Sequence, residues 1–196
     1  MGLFDKVFGS GKGLRAPSRV KHNGRRVSEI LAQSAKFHLG EPGGARANLE
    51  GADLAHVDFR GADLTDALLA GARLEGANFQ KAKLTRANLS GCNLRRADLR
   101  NTDMTEAKLP GADLTQAQAS GIELFRCDLT NVRFERANLR NTNFRASNIR
   151  GAKFLGADMG VAILRETDLE GADLSGVDLT TTLMPRGYTS TKAQKA

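Results

Sequence analysis

The sequence predicts an all-β solenoid, and three observations carry that reading. Large apolar residues return every five positions. Each is preceded by a small residue and then a polar one. The register runs without a break from Leu49 to Met184. The stretch RGADLTDALLAGARLEGANF, residues 60–79, shows all three. A period of five fits neither the 3.6 of a helix nor the two of a strand. On a helix such a stripe would step about 140° each time and smear around the cylinder.

Each element of the repeat has a physical role. Small-polar-large is a short extended piece whose first and third side chains share one face. The polar place is mostly Asp or Asn, as in Asp53, Asp63, Asn78 and Asn88; their side chains are expected to bond nearby backbone. The fifth place is often Gly or Asn, as in Gly51, Gly61, Gly71, Gly91, Asn131 and Asn141. These residues tolerate positive φ and mark a corner. Side and corner in strict succession wind into a quasi-one-dimensional fold.

The runs GADL, GANF, RANL and GADLSGVDL resemble the A(D/N)LXX motif of the pentapeptide-repeat family, over residues 47–184. The resemblance implies a right-handed quadrilateral β-helix with four repeats per coil, about seven coils and a rod of roughly 33 Å at one strand spacing per coil. Residues 20 apart then share a column. Leu49, Leu69, Leu89, Leu109, Leu129, Ile149 and Leu169 form one core ladder, Phe59 stacks on Phe79, and Phe134 on Phe154. Ala119 interrupts its column between Leu99 and Leu139, and the oversized Ile122 nearby is expected to fill the volume.

Solenoid ends need covers. Val27, Ile30, Leu31, Ser34 and Ala35 recur at helical spacing, which predicts an N-terminal amphipathic helix over 26–38, within a cap spanning 26–39. GEPGG, residues 40–44, separates it from the repeat body, taken as 45–184. Residues 1–25 read as a basic flexible leader and 185–196, after the break at Pro185, as a basic flexible tail. No second helix is available for the last coil, so a homodimer through that end is expected.

Composition narrows the function. The chain is 40% apolar with no Trp and one Tyr, enough only for a thin core of small and aliphatic side chains. No run of about 18 apolar residues crosses a membrane, and the start lacks the apolar segment of a secretory signal, so a cytoplasmic location is expected. The net charge of +7 is concentrated at the ends: residues 1–45 carry +5, residues 46–184 carry −1 and residues 185–196 carry +3.

Catalytic chemistry is not expected. His22, His38 and His56 are scattered without metal-ligand spacing, and Cys92 and Cys127 occupy small inward places as core thiols. GSGKG, residues 9–13, lacks the first glycine and the Ser/Thr of a phosphate loop. RRVS, residues 25–28, and Asn88-Leu89-Ser90 match short modification patterns of low specificity. A filled solenoid predicts no enzyme, no cofactor, no metal and no small-molecule substrate.

Function therefore falls to outer surfaces. Leu3, Phe4, Val7 and Phe8 fall on one helical face of an amphipathic segment, 2–9, beside Lys6, Lys12 and Arg15. The composition suits an anionic membrane interface, with a disordered leader or a piece that packs on the protein as the alternative. The rod is acidic over 47–66 and 158–178 and basic over 126–153. Arg95, Arg96, Arg133, Arg136 and Lys153 share one side and form a candidate contact for an anionic partner; a solvated collar is the alternative. Leu68, Phe125, Leu155 and Ile163 stand at outward places, and Phe125 with Ile163 is a candidate apolar protein contact.

The resemblance implies one further activity, binding of DNA gyrase by imitation of DNA with quinolone or toxin tolerance. That mimicry needs a strongly negative surface, which a body of −1 with a basic belt does not supply. The leading expectation is a non-enzymatic scaffold, cytoplasmic or peripheral at the inner membrane, presenting a rigid side to a protein partner. The gyrase reading ranks second, and nucleic-acid binding through the basic tails third.

Overall fold

The computed structural model describes residues 13–188. Residues 47–184 coil with a twenty-residue turn, so each turn has four sides of one repeat each. Parallel bridges join residues 20 apart: Asn48 to Leu68, Asp53 to Arg73, Asp58 to Asn78, Asp63 to Lys83, and onward. We call the sides that begin at these four residues the first to fourth walls.

The repeat follows from where its five N–H groups go. In the five residues from Asn78 to Ala82, Asn78 donates to Val57 one coil back, at 3.0 Å, and Phe79 donates to Asp98 one coil on, at 2.7 Å. Lys81 donates to Arg100, at 3.1 Å, and Ala82 closes the turn onto Phe79, at 2.9 Å. The fifth, Gln80, donates to the Asn78 side chain, at 3.0 Å. The same bond runs from Thr65 to Asp63, Ser90 to Asn88, Thr115 to Asp113 and Arg150 to Asn148. Asp and Asn fill the polar place because their short side chains are the acceptors for that amide.

Two prolines follow the same rule. Pro110 and Pro185 stand at the place of the fifth N–H, after Lys108 and Leu183, which offer it no acceptor. Pro110 also enters a turn that closes from Ala112 to Leu109 at 3.0 Å, with Gly111 at φ +68°. Positive φ at the third turn residue is the type II pattern, in which Pro suits the second. Corners are left-handed well beyond Gly and Asn: Arg86 has φ 57°, Glu106 60° and the β-branched Val161 52°. The coil-to-coil bonds hold these residues in a region they would avoid on their own.

Small and large inward residues fill the centre. Leu94 and Leu114 are fully buried, as are Leu49, Leu69, Leu89, Leu109, Leu129 and Ile149. Each contributes on the order of 1.5–3 kcal/mol by burial. Phe59 stacks on Phe79 at 4.9 Å and Phe134 on Phe154 at 5.1 Å. Phe144, from the opposite wall, meets both members of the second stack edge-on, at 5.8 and 6.0 Å. Polar residues in the small place find carbonyls in the coil below: Thr102 donates to Phe79, Thr167 to Phe144, and Ser147 to Leu124.

The ends differ. Residues 13–25, expected as flexible leader, are structured: a 3-10 turn over Pro17–Arg19 and a hairpin of β1 (Lys21–His22) and β2 (Arg25–Arg26). Asn23 and Gly24, with φ 49° and 79°, form its two-residue turn. Val20 and Val27 at its base are buried and bonded at 2.8 Å. Arg15 pairs with Val57, and its carbonyl accepts from Asp58, taking the place of a missing coil. Helix α1, Val27–His38, buries Val27, Ile30 and Leu31 in the same core cluster as the first coil, and Ser34 is buried with them. Ala35 is exposed, one step off the buried stripe. Gly40, at φ +68°, ends the helix, with Glu41 donating to Lys36. At the far end Leu169, Val177, Leu179 and Met184 are only partly buried.

Two stability outcomes follow. Ala119 and Ile122 are both buried, so Ala119→Leu should lower stability by about 1–3 kcal/mol in urea unfolding, and adding Ile122→Ala should recover most of it. Leu155 stands before Gly156 and after Lys153, so its N–H has no side-chain acceptor; Leu155→Pro should stabilise by about 0.4–1 kcal/mol.

Candidate functional site

Side chains with nucleophilic or metal-binding chemistry are dispersed. No group of three His, Cys, Asp or Glu suited to a metal exists among the described residues. His22 meets the Asn23 amide at 3.1 Å, His56 occupies a corner at φ 58°, and His38 stands 3.7 Å from Asp66. Cys92 and Cys127 are buried and donate to the carbonyls of Leu69 and Met104. Burial pushes both thiols up to about 12. A thiol at that value is almost entirely protonated at neutral pH and is a poor nucleophile. No helix among the described residues is long and apolar enough to cross a membrane.

The charged outer surface is organised by the coil register. Residues 18 to 21 apart in sequence are neighbours in space. The basic stretch 126–153 and the acidic stretch after it therefore interleave. Arg140 reaches Asp158 at 3.2 Å, Arg145 reaches Glu166 at 3.0 Å, and Arg150 reaches Glu170 at 2.7 Å. Arg126 lies 3.9 Å from Glu106 of the coil below. Earlier in the rod, Arg86 and Arg73 hold the Asp66 and Asp53 carboxyls below their ordinary value by hydrogen bonding. The cations of the stretch 126–153 that lie on the first, third and fourth walls thus each meet an acid, while Lys81, Lys83, Lys108 and Arg165 on those walls are exposed with no described carboxylate within 4.0 Å.

The second wall keeps a surplus. Arg73, Asn93, Asp113, Arg133, Lys153 and Asp173 form one ladder along it, and Arg95, Arg96 and Arg136 stand at its edge. Arg95 and Arg133 converge on Asp113, at 3.2 and 3.7 Å, and Arg133 also meets Glu135 at 3.2 Å. Arg96 lies 4.0 Å from Glu75 and donates to Gln116. Arg136 and Lys153 are exposed, with no described carboxylate within 4.0 Å. The five cations picked from the sequence thus lie on one wall, three of them tied to acids and two presented outward.

The apolar candidates are arranged differently. Phe125 is half-buried, with the Arg126 guanidinium 4.8 Å above its ring. Ile163 is flanked in its ladder by Asn143 and Leu183. The apolar neighbours are therefore Ile163 and Leu183 rather than Phe125 and Ile163. Leu155 is exposed on the second wall, and Leu68 is half-buried on the first. Leu183 was legible from its polar slot before Met184; Phe37 and Leu39, exposed at the end of α1, had no sequence signal beyond falling off the buried stripe. The membrane candidates Leu3, Phe4, Val7 and Phe8 lie outside the described residues.

Comparison with known proteins agrees with the repeat. The family model for pentapeptide repeats matches in eight copies, over residues 45–80, 82–118, 127–160 and 147–180. Among solved structures the chain is similar to HetL, a pentapeptide repeat protein involved in heterocyst differentiation regulation, from the cyanobacterium Nostoc sp. strain PCC 7120. The two are 26% identical over 74% of this chain and 81% of that one, with a TM-score of 0.50. The chain is also similar in fold to QnrB1, a plasmid-mediated fluoroquinolone resistance protein, at 24% identity over 74% of this chain and 86% of that one, TM-score 0.44. No curated protein matches.

The thiol environment predicts that native protein resists iodoacetamide at pH 8, and that labelling of Cys92 and Cys127 appears only as urea unfolds the solenoid. Prompt native labelling would show the core to be open.

Proposed function

The chain belongs to the pentapeptide-repeat family, and we propose that it acts as a non-enzymatic scaffold whose second wall engages an acidic surface on a protein partner. The observation that carries this reading is the uneven pairing of charge. On the other walls the basic belt meets acids one coil away; on the second wall Arg136 and Lys153 stay unpaired beside Arg95, Arg96 and Arg133. A wall built of ladders on a filled core holds these cations at fixed spacing, so little ordering is needed on binding. Similarity to a protein involved in regulating differentiation supports a role through binding.

In this reading the rod of about seven coils is right-handed, closed at one end by α1 and paired with a second copy through the partly buried last coil. It works in the cytoplasm, held at the inner membrane surface. Gyrase modulation ranks below it, because the cationic wall is opposite in sign to a DNA mimic.

The test is capture of partners from the native host by the full chain and by Arg96→Glu/Arg136→Glu/Lys153→Glu. A protein retained by the wild type, lost with the variant and released by salt is expected. Capture of the same proteins by both forms, insensitive to salt, would overturn the assignment. Gyrase supercoiling should be unchanged by the protein; inhibition or protection from quinolone would favour the other reading.

A further inference from the structure

The cap end carries surface chemistry that the fold does not need. Residues 13–46 hold seven Lys/Arg against two acids. Glu29 is engaged by Arg26, whose N–H donates to it at 3.1 Å, which leaves Glu41 as the other acid of the cap. Arg19, Lys21 and Arg25 are exposed around the hairpin, with no described carboxylate within 4.0 Å. The hairpin is fixed by Val20 and Val27 at its base, so the cations are displayed and do not hold it together.

The same layer shows apolar surface. Helix α1 turns Val27, Ile30, Leu31 and Ser34 towards the first coil. Ala32, Ala35 and Lys36 are exposed. At its end Phe37 is 41% exposed and Leu39 72% exposed. The hairpin cations precede this twelve-residue helix and the aromatic–leucine pair stands at its other end, the helix itself being about 18 Å long. The first described residues, which carry the chain in from its leader, also join the first coil here, through Arg15 and Val57.

We propose that this cap is a docking surface for an anionic lipid bilayer, with the hairpin cations over the headgroups and Phe37 and Leu39 in the interface. Cations alone would suit nucleic acid equally. Exposed Phe37 and Leu39 at the far end of the same cap favour the bilayer, where apolar burial and attraction to anionic lipid act together. The inference rests on the peripheral placement proposed above and is independent of the second wall and its partner. It adds a determinant within the folded cap to the leader residues Leu3, Phe4, Val7 and Phe8.

The experiment is sedimentation of the full chain with phosphatidylcholine vesicles, with and without phosphatidylserine. Wild type should bind only the anionic vesicles, less so at high salt. Arg19→Gln/Lys21→Gln/Arg25→Gln should weaken binding on the order of a hundredfold, and Phe37→Ser/Leu39→Ser by roughly tenfold. All these positions are exposed, and far-UV circular dichroism checks that both variants keep the wild-type fold. Replacing Leu3, Phe4, Val7 and Phe8 by Ser should leave binding that the hairpin substitutions still reduce. The inference is overturned if the cap variants sediment as wild type does, if wild type ignores anionic vesicles, or if it retains duplex DNA and not vesicles. Second-wall variants should sediment normally, so failure of the partner reading and failure of this one are separable.

Discussion

The structure depends on one constraint: the backbone N–H groups of each coil must meet carbonyls exactly one turn away. Everything else in the repeat serves that twenty-residue spacing. Two amides per repeat reach the next coil on, one reaches the coil behind, one closes the corner, and the last depends on the Asp or Asn side chain two places before it. A deletion of one residue would break the register between the coil that holds it and its neighbours, because inward and outward alternate along each side. The same constraint explains why corners tolerate Arg86 and Glu106 at positive φ, and at Val161 the N–H is held one coil on by the Thr181 hydroxyl. The local cost of that conformation, of order 1–2 kcal/mol per residue, is offset by bonds above and below.

Register also sets the electrostatics. In a globular domain, a basic stretch followed by an acidic one forms two patches. Here Arg140, Arg145 and Arg150 meet Asp158, Glu166 and Glu170, because one coil of chain returns each charge to the same place. Exposed pairs of this kind contribute little to stability, typically below about 1 kcal/mol each. Their larger effect is on the outer surface: on three walls the cations of the basic stretch 126–153 are each matched by an acid, and on the second wall Arg136 and Lys153 are not.

The column assignments were legible in the sequence because the period is rigid. Phe59 on Phe79 and Phe134 on Phe154 follow from counting twenty. Contacts between walls did not follow: Phe144 packs against the second stack across the core, and no period says which walls face each other. The pairing of Ile163 with Leu183 follows from the same count of twenty. The hairpin before α1 had its signal in Asn23-Gly24, a two-residue turn between short strands, but its surroundings are charged and lack the alternation that marks a strand. The candidate wall was legible as a set of cations, while which of them stay unpaired depends on side-chain reach.

The polar slot shows where the surface departs from the needs of the fold. On the third wall Asp58, Asn78, Asp98, Asn138, Asp158 and Asp178 each accept the local amide. A residue of another kind there forgoes that bond, a net loss of about 0.5–1.5 kcal/mol. The fourth wall departs at Lys83, Glu123, Ile163 and Leu183, which share no chemistry. The second wall departs at Arg73, Arg133 and Lys153, and all three are cations. Replacements made without regard to charge would resemble the fourth wall. The second wall gives up the same bond three times, each time for a positive side chain, and two of the three, Arg73 and Arg133, reach carboxylates of the coil below, so the ladder exchanges a local bond for an ion pair between coils.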